Sequence, residues 1–60
     1  MSTKYEVVVA NSGFHQVLVY LKGSEAGKAY PKYFEDIDEL GVTLYAGSLA
    51  TIYDCKIERH

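Results

Sequence analysis

His15, Cys55 and His60 are the only soft metal ligands in the chain and its only candidates for a nucleophile and its base. Zinc wants four close nitrogen or sulfur ligands around one point. Cys55 and His60 stand five residues apart on an apparent strand and tail, which is no recognised zinc spacing. A reactive cysteine needs an electropositive, partly open setting that holds its thiolate. Cys55 instead alternates with Tyr53 and Ile57, the pattern of a core face, where a thiol behaves as a small hydrophobe. Gly23 and Gly27 lack both the motif and the strand-to-helix context of a phosphate cradle. The residue types therefore predict a non-enzymatic protein with no metal, no cofactor and an unreactive, buried Cys55.

The charge pattern offers a binding surface instead. Glu35-Asp36-Ile37-Asp38-Glu39 holds four of the eight acids. Tyr30, Tyr33, Phe34, Ile37 and Leu40 recur at three- and four-residue steps, which predicts a helix that starts at Pro31 and stops at Gly41. Asp38 and Glu39 then fall in its last turn, where the helix dipole disfavours each anion by a few tenths of a kcal/mol, up to about 1. Glu35 and Glu39 would repel one helical turn apart. Charge reversal at Asp38 and Glu39 should then spare the fold. Local costs of this kind are expected at functional surfaces. Glu35, Asp36, Asp38 and Glu39 are thus the candidate partner-binding residues, an acidic knob for a basic groove on another protein; a merely solvated face is the plain alternative.

The elements that must position these residues form one domain over residues 1–60. A chain of 60 residues buries only about 60% of its unfolded surface, so its stability margin is thin. Hydrophobic content of 48% with 23% charged residues argues for a globular fold. A net charge of −2 argues against a basic nucleic-acid arm, and one cysteine excludes an internal disulfide. The longest apolar runs, 7–10 and 17–21, are far too short to span a membrane. Residues 1–4 lead into a strand without an apolar leader, and the single cysteine fits a reducing cytoplasm.

Residues 5–10 and 14–21 read as a hairpin around Asn11-Ser12-Gly13, with Ala10 opposite Phe14. Residues 22–29 form a polar connector in which Ser24 could cap a short turn over Glu25 and Ala26. Residues 42–46 and 49–58 read as a second hairpin around Gly47-Ser48. The expected fold is α+β: a small antiparallel sheet of about four strands with one helix packed on one face, in the order β-β-α-β-β.

One helix covers one sheet face and leaves the other bare. The covered face takes Tyr5, Val7, Val9, Val17, Val19, Leu21, Val42, Leu44, Tyr53, Cys55 and Ile57, under Tyr33, Phe34, Ile37 and Leu40. The bare face carries Val8, Phe14, Leu18, Tyr20, Tyr45 and Ile52, an apolar surplus large enough to mark an interaction site. A homodimer through that face is the first expectation. The alternative function is single-stranded nucleic-acid binding by base stacking on Phe14, Tyr20 and Tyr45, which the net charge disfavours. In size and architecture alone, a compact acidic ββαββ chain resembles the small proteins with which phages and other mobile elements inhibit host enzymes. That resemblance implies a protein that acts by occupying a surface on another macromolecule.

Overall fold

The computed structural model describes residues 4–23 and 27–60. The expected cap at Ser24 and the leader-free start over residues 1–3 lie outside them. Four strands and one helix follow in the order βββαβ: β1 Tyr5–Asn11, β2 Gln16–Gly23, β3 Gly27–Glu35, α1 Glu39–Tyr53 and β4 Ile57–Arg59. The sheet order is β3-β2-β1-β4. β1 pairs antiparallel with β2, and β2 with β3, but β4 lies parallel to β1. The fold class is α+β as expected; the all-antiparallel ββαββ arrangement is corrected to a mixed βββαβ sheet.

The first hairpin forms where its β-branched residues predict it. Its register differs: Ala10 pairs with Leu18 rather than Phe14, because the loop runs from Ser12 to His15. Gly13 takes φ 101°, the conformation expected of it, and His15 also turns left-handed at φ 53°. The slip is an even number of residues, so the side chains that remain in the two strands keep their predicted faces, while Phe14 and His15 leave the strand for the loop. Val7 opposite Leu21 and Val9 opposite Val19 remain on the side the helix covers.

The expected helix over residues 31–40 is instead the second half of β3, the turn that follows it and the first two residues of α1. β3 is an edge strand, and an edge tolerates the missing N–H of Pro31. Tyr20 of β2 faces two residues of β3, Tyr30 and Pro31, between the pairs Val19–Lys32 and Leu21–Ala29. This is a β-bulge, with Tyr30 at φ 53°. The extra residue breaks the alternation, so Ala29 and Phe34 both pack towards the helix although five positions apart.

The expected second hairpin is helix α1 followed by the short β4. Val42, Ala46 and Leu49, at steps of four and three, are its buried residues, and Tyr45, Ala50 and Tyr53 flank them. With Val7, Val9, Val19 and Leu21 of the sheet they make the core. Gly41 is not a stop. It is the third residue of α1, and its N–H donates to the Asp38 carboxylate (3.0 Å). A side chain at Gly41 would collide with that carboxylate. Gly47 and Ser48 lie within the helix, where a glycine costs about 1 kcal/mol against alanine. Asp54 ends α1 in the left-handed conformation, and the N–H groups of Asp54 and Cys55 both reach the Ala50 carbonyl. Two bonds then dock β4 on β1: Val7 N–H to Lys56 O (2.9 Å) and His60 N–H to Val9 O (2.8 Å).

Leu44, expected inside, is 62% exposed, while Leu49 is buried. In dilute solution Leu49→Ala should lose about 3 kcal/mol of unfolding free energy, and Leu44→Ala less than about 0.5. Urea denaturation of the two variants measures this; equal losses would mean that α1 presents a different face to the sheet.

Candidate functional site

The four flagged acids come together at one end of the molecule, where β3 turns into α1. Glu35 closes β3, Asp36 occupies the turn, Asp38 is the N-cap and Glu39 opens the helix. The Asp38 N–H donates to Glu35 O (3.0 Å), and the Val42 N–H donates to Asp38 O (3.0 Å). The turn is also tied to the β1–β2 loop. The Asp36 N–H donates to His15 O (2.9 Å), and the His15 ring Nδ1 lies 3.2 Å from Asp36 Oδ2. Both side chains are exposed, so this ion pair adds little when His15 is charged. Arg59 Nη1, at the end of β4, lies 3.6 Å from Glu39 Oε1. A cleft of about 230 Å³ opens among these groups, lined by Val9, Val17 and Val42 and by Asp36, Glu39 and Arg59.

This placement reverses the electrostatic argument drawn from the sequence. Asp38 and Glu39 begin the helix rather than end it, so the dipole stabilises them. The i,i+4 repulsion between Glu35 and Glu39 does not arise, because Glu35 belongs to a strand. Asp38 in particular is structural: its carboxylate satisfies an otherwise orphaned helix N–H.

The six residues expected to share the bare sheet face are distributed over three places. Val8, Leu18 and Tyr20 do lie on the face away from α1, but Val8 is 4% and Leu18 8% exposed, and Tyr20 is half-buried. Their register neighbours, Glu58 beside Val8 and Tyr33 beside Leu18, flank them. Phe14 is in the β1–β2 loop and 95% exposed. Tyr45 lies on the inner side of α1, its ring 5.6 Å from Phe34 and its hydroxyl donating to Tyr30 O (2.8 Å). Ile52 is exposed on the helix.

Several tyrosines seal the seam between helix and sheet. Tyr53 stacks at 5.2 Å from Tyr5 and 6.2 Å from Tyr30, and its hydroxyl donates to that of Tyr30 (3.1 Å). The hydrogen bond to Tyr30, followed by partial burial, pushes the Tyr53 phenol up. Lys32 lies over the rings of Phe34 and Tyr45 at 5.4 and 5.5 Å.

Sequence reasoning missed Ile37 and Leu40. Both were assigned to the core stripe and both are exposed, Ile37 at 84%. Their placement follows from the bulge and the cap, which the apolar spacing alone does not reveal.

Cys55 is half-buried after α1 and packs against the core. Burial pushes its thiol up and the Asp54 and Glu6 carboxylates add to this, while a hydrogen bond from Val7 acts the other way. Among the described residues no group of three or more His, Cys, Asp or Glu side chains could hold a metal ion, and no helix is long and apolar enough to cross a membrane.

Two outcomes are expected. Asp38→Ala should cost about 1 kcal/mol of stability, and Asp38→Lys more, since it adds a cation at the positive end of the dipole; thermal melts that leave either variant as stable as wild type would remove the cap from the argument. Alkylation of Cys55 at pH 8 should run slower in the folded chain than in urea, because a raised pKa leaves less thiolate. The same shift favours the neutral thiol in the fold. Its contribution to stability is whole below the thiol's ordinary value and is lost as pH rises through the raised one. No family model, curated protein or solved structure matches the chain.

Proposed function

We propose that the chain is a non-enzymatic binding protein that occupies a surface of another protein with the end where the β1–β2 loop meets the β3–α1 turn. One observation carries the reading: Phe14 and Ile37 stand 95% and 84% exposed on two turns that a main-chain hydrogen bond ties together, amid Glu35, Asp36, Asp38 and Glu39. A large apolar side chain held out on a fixed turn is an anchor for a partner's pocket. Acids around it steer a basic partner and set its orientation. The partner this chemistry fits has an apolar pocket rimmed by lysine or arginine, a basic groove with a hydrophobic floor.

Asp38 belongs to the cap, so the steering role falls on Glu35, Asp36 and Glu39. The ββαββ outline behind the likeness to inhibitors from phages and other mobile elements is not the outline found. Inhibition of a host enzyme is one way such a docking surface would act, and the support for docking is the surface alone.

The nucleic-acid reading draws less support. Phe14, Tyr20 and Tyr45 lie in three different elements rather than on one stacking platform, and the open sheet face mixes Lys22 and Lys28 with Glu6, Glu35 and Glu58.

A pull-down from the native host followed by binding measurements tests the proposal. A partner captured by wild type should bind Phe14→Ser/Ile37→Ser at least about 100-fold more weakly, and Glu35→Lys mainly through a slower association rate. Both changes fall on exposed side chains and should leave the melting temperature unaltered. Equal binding by the double variant, or salt-dependent binding to a labelled single-stranded oligonucleotide in place of a protein, would overturn the reading.

A further inference from the structure

We draw no further inference here: the strongest candidate, the exposed outer face of α1 that carries Leu40, Leu44 and Ile52, is an unpartnered apolar surface, and nothing in the structure shows what covers it.

Discussion

One 15-residue helix has to bury the inner face of a four-stranded sheet, and the rest of the molecule follows from that constraint. Val7 and Val19 have no exposed surface because β1 and β2 are the two central strands and α1 lies over them. The helix starts after the edge strand β3 and delivers the chain to β4 at the opposite edge. Its ends must therefore be fixed as firmly as its middle. At the start the Asp38 cap and the Asp36–His15 main-chain bond fix the entry. At the end the left-handed turn at Asp54 releases the chain, and the Lys56 and His60 main-chain bonds pair it with β1. The core under α1 holds seven buried residues among those described and gives little redundancy, so each of these ties carries weight in a chain whose burial margin is thin.

The apolar surplus evident in the composition is real, but its location is set by the helix. The open sheet face largely closes over itself, with Val8 and Leu18 buried among cross-strand neighbours. The outer side of α1 has no such neighbours and keeps Leu40, Leu44 and Ile52 in solvent. Charge is distributed the other way. The helix is neutral beyond its first residue, and the acids collect just before and at its N-terminus, where the dipole favours them. The molecule thus presents a charged end bearing apolar tips and a neutral flank. The two surfaces differ in chemistry.

The first half of the fold was legible and the second was not, for local reasons. The alternation over 5–10 and 14–21 predicts both strands, and although the second begins only at Gln16, an even register slip leaves the faces of the paired residues unchanged. In β3 Tyr30, Tyr33 and Phe34 stand three and four apart, which is the spacing of a helix, although Tyr33 and Phe34 lie on opposite faces of the strand. In α1 apolar residues surround the axis, so the segment also satisfies the alternation of a strand, and Gly47-Ser48 resembles a primed turn. Gly41 was read as a stop signal, yet its role is to admit the Asp38 side chain. Asp38 three residues before a glycine and four before Val42 was the available signal for a helix start; the apolar run on its N-terminal side outweighed it.

The acidic cluster shows how an error of element type passes into an error of mechanism. The same four residues remain candidates, and the argument for them has changed sign. Read at a helix C-terminus, they are a stability cost that implies a function. Found at an N-terminus, Asp38 and Glu39 stabilise the helix, so their charge no longer needs a partner to explain it. What still needs explaining is Phe14 and Ile37, two large apolar side chains on tied turns with almost no contact to their own chain. The functional weight therefore moves from the charges to the apolar tips between them. In the proposed docking, the carboxylates at Glu35, Asp36 and Glu39 would govern approach and orientation and burial of the two tips would supply the affinity, since desolvated apolar anchors dominate interface energetics while exposed charges act chiefly on rates.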